Sequence, residues 1–299
     1  MLALGLFLAF IIGITLGLLG GGGAILTVPV LHYVLDFPVD VAIASSLIVV
    51  GLTSAFATIN HARSGRVQWR VGLIFGAASM LTAYGVGKVG KHIPPTIRLL
   101  GFALVMAAAA YAMLRGAYKA MRAPAPANPG ATATPSAPAA LNLQGLIPLG
   151  AVVGALTGAV GAGGGFLIVP ALTLMAGVPM HHAVGTSLFV IALNSAAGFA
   201  GSGMWHSIPI ETIAGVVALA IAGSIVGSRI AQRISAAALR EGFGWFIVVM
   251  AAFIASMEAP RQLGLTLSAG ARGGVVATAV SLAAVGALLT AQRIRRQRG

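Results

Sequence analysis

Leu19-Gly-Gly-Gly-Gly-Ala-Ile-Leu-Thr-Val-Pro29 returns 141 residues later as Val160-Gly-Ala-Gly-Gly-Gly-Phe-Leu-Ile-Val-Pro170, with six of eleven positions identical. The same offset pairs Pro38 with Pro179, Ser46 with Ser187, Ser54 with Ser195, Ile93 with Ile234, and Gly101-Phe102 with Gly242-Phe243. Shared apolar composition would align Leu and Ala by chance, but not Pro, Gly and Ser in one register. The chain is therefore a duplication. A glycine cluster in an apolar helix weakens it and bares backbone that hydrocarbon cannot hydrogen-bond. Two clusters at matching places point to broken helices that meet around a solute, since paired interruptions mark the substrate site in repeat-built transporters.

Composition sets the class. Hydrophobic residues make up 58% of the 299 residues, charged residues only 8%, and mean hydropathy is +0.98. A chain of this kind cannot clothe a soluble globule in polar groups and reads as an all-α, polytopic membrane protein. The 18 Lys and Arg against five acids lie in short loops and at the C-terminus, as expected of cytoplasmic loops beside anionic lipid, and not of a nucleic-acid binder. There is no Cys, which removes disulfides, thiolate metal sites and thiol chemistry together. The first residues lack the basic flank of a cleaved leader and read as retained structure.

Apolar segments at 2–19, 24–35, 42–60, 71–88 and 97–114 are followed by five more at 145–160, 165–176, 183–200, 211–228 and 239–257. These define a first repeat over 1–122 and a second over 141–258. A Pro/Ala-rich linker at 123–140 joins them, and 259–299 holds an additional helix, about 264–291, with a basic tail. The twelve-residue segments make about 18 Å of helix against roughly 30 Å of hydrocarbon, too little to cross. Each glycine-linked pair is thus expected to form a broken or re-entrant hairpin, leaving three crossings per repeat. An odd number of crossings inverts the second repeat. Inversion places Arg63, Arg66, Arg70, Arg115, Lys119, Arg122, Arg229, Arg233, Arg240 and the C-terminal arginines inside, and leaves Lys88, Lys91 and Arg98 as the one cluster outside.

A short helix that begins after a glycine turn presents unpaired N–H groups and the positive end of its dipole, which suits an anion. The candidate substrate-binding backbone is Gly21, Gly22, Gly23 and Ala24 in the first repeat, with Gly163, Gly164 and Gly165 in the second. Side chains expected to complete the shell are Ser45, Ser46, Thr186, Ser187 and Asn194, on the next helix of each repeat. Ser45-Ser46 matches Thr186-Ser187, and Thr53-Ser54 matches Asn194-Ser195. Neutral donors deep in an apolar span need a partner or a solute.

These motifs, together with the Pro38-x-x-x-Ala42-x-x-Ser45-Ser46 and Pro179-x-x-x-Ala183-x-x-Thr186-Ser187 stretches, resemble the TauE/SafE (TSUP) family of membrane permeases over about residues 5–258. The resemblance implies movement of small sulfur-containing anions, such as sulfite and organosulfonates, across the bacterial inner membrane, in many members outward. It does not extend to the linker or the additional helix.

All five acids, Asp36, Asp40, Glu211, Glu241 and Glu258, fall at expected loops or helix ends, so no mid-membrane carboxylate is available to couple protons or sodium. Efflux of a monoanion from a negative interior gains about 2.3 kcal/mol per 100 mV without a partner ion. His32 in the first short helix is a candidate proton carrier; His61, His92, His181, His182 and His206 read as solvated or interfacial. No nucleophile and base, metal set or cofactor motif appears, so the chain is read as a non-enzyme without a cofactor or metal. Its expected partners are a small anionic substrate and membrane lipid, with homo-oligomerisation open and the C-terminus cytoplasmic. A channel-like anion conduit and a permease for another small solute are the competing readings.

Overall fold

The computed structural model describes residues 2–90, 104, 106–116, 118, 143–160, 164–202 and 208–262. The chain divides into two compact units, one of residues 1–90 and 128–234 and one of 91–127 and 235–299. Among the described residues every regular element is helical.

In the first unit α1 (Leu2–Leu19) ends at Gly20, whose φ of +82° only glycine adopts freely, and α2 (Gly23–Tyr33) starts beyond the glycine turn. A carbon added to Gly23 would lie 2.5 Å from the Ile12 carbonyl, and one on Gly5 would lie 2.6 Å from Leu35. The short helix therefore folds back along α1 as a hairpin. Proline cannot donate in a helix interior and favours entry positions, and α3 (Val39–Arg63) starts after Pro38, with Asp40 in its first turn and Arg63 in its last. Both charges suit the helix dipole. α4 (Trp69–Gly90) follows.

In the second half α5 (Leu143–Val160) precedes a short helix α6, which is a 3₁₀ turn (Gly164–Leu167), an α turn (Ile168–Pro170) and a π turn (Ala171–Met175) in sequence. The expected half-helix at 165–176 is present but not uniform. Its widened last turn closes with Ala176 N–H donating to Ala171 O at 3.1 Å, while the Thr173 hydroxyl donates to Val169 O at 2.9 Å. Such widening is frequent at functional sites. Then come α7 (Met180–Ser202) and α8 (Ile210–Arg233), the latter entered after Pro209 with Glu211 in its first turn and Arg233 in its last.

Helix directions follow from close approaches at glycine. Gly13 and Gly17 of α1 lie on the backbone of Ala220 and Ser224 in α8, and Gly223 and Gly227 lie on Phe10 and Ile14. The partner number rises with the helix number, so α1 and α8 are parallel. Gly150 and Gly154 of α5 lie likewise on Phe75 and Ser79 of α4. Between α3 and α7 the order reverses: Leu47 meets Gly198, Gly51 meets Ser195, and His61 meets Gly185. Equivalent helices α3 and α7 thus run antiparallel, and each half lends a helix to the other. Backbone contact of this kind needs small residues, which lipid-embedded helices use where no hydrophobic drive exists between them.

Asp40–Arg63, Met180–Ala200 and Ile210–Arg233 are long and apolar enough to cross a membrane, with mean hydropathies of 2.0, 1.6 and 2.0. A buried cluster of Ala9, Leu31, Ala42, Val49, Ile213 and Val216 joins α1, α2, α3 and α8. In the second unit α9 (Ala236–Gln262) runs past the predicted boundary at 258. It packs near the helical residues 106–116, with a carbon added to Gly244 falling 2.8 Å from Leu114. The linker at 123–140 and the additional helix at 264–291 lie outside the described residues.

Candidate functional site

The two chain breaks meet. A carbon placed on Gly21 would strike the Gly165 carbonyl and come within 2.7 Å of Phe166 Cα, and one on Gly20 would come 2.5 Å from Ser187 Oγ. A carbon added to Gly165 would fall 2.8 Å from the Ile191 side chain. Backbone of the first break therefore touches backbone of the second, and both rest against α7. No atom fits between Gly21 and Gly165. Gly22 precedes α2 with helical φ and ψ of −62° and −40°, and Ala24 N–H turns back to Gly21 O at 3.3 Å. Gly164 opens the 3₁₀ turn; Gly163 lies outside the described residues.

The side chains differ in what they leave available. Ser46 and Ser187 hydroxyls donate to carbonyls of their own helices, Ile43 O at 2.7 Å and Val184 O at 2.8 Å, the usual behaviour of serine within a helix. Thr186 Oγ1 accepts from the Gln68 N–H at 3.0 Å, which leaves its hydroxyl proton to donate. Its repeat counterpart Ser45 is fully buried and its oxygen has no partner. Sequence supplies a reason: 141 residues beyond Gln68 stands Pro209, which has no N–H. Thr53 and Ser54 are also fully buried without partners. Asn194 Nδ2 donates to Ser79 Oγ at 2.9 Å and its Oδ1 is unpartnered. A buried unpartnered polar group costs about 1–3 kcal/mol, so three on one helix indicate a place for a hydrogen-bonding guest or water.

Two histidines take specific backbone partners. His61, read as solvated, is 1% exposed, and its Nε2–H donates to Gly17 O at 3.2 Å. α1 stops at Leu19, so the Gly17 carbonyl belongs to the last turn and needs an outside donor. A histidine seven residues beyond Ser54 on a single apolar helix was the available signal. His32, the candidate proton carrier, has its Nδ1 2.8 Å from Phe37 O, where it ties down the turn after α2. Among the described residues, no three His, Asp or Glu side chains gather as metal ligands would.

A polytopic helical bundle with opposed, glycine-broken hairpins and buried neutral donors at their junction is the architecture of a secondary membrane transporter. The family described as sulfite exporter TauE/SafE matches residues 5–254, and the chain belongs to this family. It is similar to a probable membrane transporter protein of Xylella fastidiosa, 33% identical over 82% of this chain and 91% of that one. A probable membrane transporter protein of Methanocaldococcus jannaschii is 28% identical over 85% of this chain and 95% of its own length. One from Haemophilus influenzae is 26% identical over 80% and 92%. No solved structure matches the chain.

Proposed function

We propose that this transporter exports small sulfur-containing oxyanions, such as sulfite or organosulfonates, across the bacterial inner membrane by alternating access. The observation that carries the reading is the contact of Gly21 with Gly165, beside the buried donors of α3 and α7. As the halves part, the leading N–H groups at Gly22 to Ala24 and at Gly163 to Gly165 become the positive ends that receive an oxyanion. Ser45 and Thr186 offer free hydroxyl protons, while Ser46, Ser187 and Asn194 adjust around the guest. Neutral donors hold an anion without the permanent ion pair that would slow its release.

The sulfur chemistry is supported by the family's description as a sulfite exporter. The antiparallel course of α3 and α7 supports inverted repeats, with the Arg63 to Arg70 segment and the C-terminus in the cytoplasm. No cofactor or metal is required, and an interior-negative potential drives the anion out.

Purified protein in proteoliposomes, loaded with labelled sulfite and challenged with sulfonate, sulfate and amino-acid competitors, tests the reading. Expected is saturable efflux, accelerated when the potential is set negative on the cytoplasmic face and competed by sulfonates. Non-saturating flux with single-channel conductance would replace alternating access by a pore, and competition by amino acids alone would replace the substrate.

A further inference from the structure

The start of α7 is wrapped by the end of α3 and the loop after it. A carbon added to Gly185 would fall 2.7 Å from Arg66 O and 3.1 Å from His61 Cβ, and Gln68 N–H reaches Thr186 Oγ1 at 3.0 Å. The first turn of α7 carries His181 and His182, and Arg66 acts electrostatically on both His61 and His181. Polar atoms without partners accumulate here. His61 is 1% exposed with Nδ1 unpartnered, and the buried atoms Arg66 Nη1, His182 Nδ1 and Gln68 Oε1 have no partner either. A guanidinium N–H taken from water without an acceptor is costly, more so than a neutral donor.

Among the described residues of this unit, no carboxylate stands at this end. The unit's acids stand at the other end of its helices: Asp40 and Glu211 in the first turns of α3 and α8, and Asp36 in the turn before α3. Gln232 Nε2 donates to Ser64 Oγ at 3.2 Å, so the basic end of α8, with exposed Arg229 and Arg233, lies beside the same loop.

The duplication provides an internal comparison. Positions equivalent to His61, Arg66, Gln68, His181 and His182 are Ser202, Ser207, Pro209, Asp40 and Val41. Hydrogen-bonding groups are thus collected at one end only, where the fold does not demand them. That end leads inward. From His182 to Ser187 is about 7.5 Å along the helix, and Ser187 touches Gly20 of the first break.

We propose that His61, Arg66, Gln68, His181 and His182 form a second binding site for a small soluble oxyanion, occupied on the way to the chain breaks. The proposal rests on the reading that this chain carries such anions, and it adds a one-sided vestibule to that reading. The Arg66 fork and the first N–H groups of α7 grip the oxygens.

Trp69 supplies a reporter. It follows Gln68 directly and meets Phe189 edge-on, with ring centroids 5.0 Å apart at 78°. Full-length W205F/W245F protein in zwitterionic nanodiscs, titrated with sulfite at constant ionic strength, should show a saturable change in Trp69 fluorescence. R66Q and H182N should each raise its midpoint about tenfold or more, and R66K should raise it less. G23V should lose transport yet keep the titration.

A linear, unsaturable response in the unmodified site, or midpoints within about twofold in both R66Q and H182N, would overturn the vestibule. Should R66Q not fold, partly exposed H182N decides alone. Nanodiscs containing anionic lipid separate the sources: if lipid abolishes the sulfite response in the absence of transport inhibition, a headgroup owns the site and the proposal falls. Retention of transport by G23V would sink the chain-break reading while leaving the vestibule to the titration.

Discussion

Asp36 and Gly177, 141 residues apart, close the two short helices with the same left-handed backbone, at φ +56° and +67°. The hydrogen bonds around them match as well: Phe37 N–H donates to Leu31 O at 3.1 Å, and Val178 N–H to Leu172 O at 2.9 Å. One turn is glycine and the other is not, so the repeats differ in strain where they agree in geometry. Left-handed backbone costs an L-residue roughly 1–2 kcal/mol, less for Asp. Asp36→Gly is therefore expected to keep or raise the thermal unfolding midpoint. Gly177→Val, with open space around the new carbon, should lower it through backbone strain alone. Differential scanning of the purified variants decides; an unchanged midpoint for Gly177→Val would mean the turn is not held in this form.

Glycines on the interleaved helices should be sharply unequal. Gly13→Ala and Gly154→Ala push a methyl into the carbonyls of Ala220 and Ser79, and overpacking of this kind costs about 1–3 kcal/mol or more. Gly85 and Gly242 have nothing within 4 Å, and alanine there should gain up to about 1 kcal/mol of helix propensity. Detergent thermal melts of the four single variants should separate into two pairs. Equal midpoints would contradict the parallel contact of α1 with α8 and of α4 with α5.

His61→Ala removes the donor from the last turn of α1 and leaves the Gly17 carbonyl buried and unpaired, at a cost of about 1–3 kcal/mol. The expected result is a lowered melting midpoint together with faster backbone hydrogen exchange at Leu19 to Gly23, because that bond anchors the chain break. His61→Gln, whose amide can still donate, should recover part of both. Loss of stability without faster exchange at the break would make His61 a packing residue only.

Much of this was legible beforehand, for reasons that differ by element. Period and composition located α1, α3, α4, α7 and α8 to within a few residues, and the aligned Pro and Gly exposed the duplication. The meeting of Gly21 with Gly165 followed from symmetry, since repeat partners approach each other wherever equivalent helices cross. Hydrogen-bond states were not legible. Ser46 and Thr186 differ only in whether a carbonyl of their own helix or a distant Gln68 N–H takes them, and sequence spacing does not report that choice. His61 reads as solvated from sequence because its role depends on the orphan carbonyl of Gly17, 44 positions away. The gathering of Arg66, His181 and His182 could have been found by subtracting one repeat from the other, which leaves these residues without like counterparts.

The unpartnered hydroxyls make a last and opposite prediction. Removing a satisfied buried group destabilises, but removing an orphan relieves a desolvation penalty. Ser45 Oγ and Thr53 Oγ1 are orphans, so Ser45→Ala and Thr53→Val should leave the melting midpoint unchanged or raise it. If Ser45 meets the anion when the halves part, the same Ser45→Ala should raise the half-saturating sulfite concentration by roughly fivefold, the worth of one hydrogen bond of about 1 kcal/mol. Asn194→Leu, by contrast, strips Ser79 of its donor at 2.9 Å and should lower stability and transport together. Proteoliposome efflux measured alongside melting curves separates the cases. A Ser45→Ala protein that melts higher and carries sulfite with unchanged half-saturation would remove Ser45 from the substrate shell.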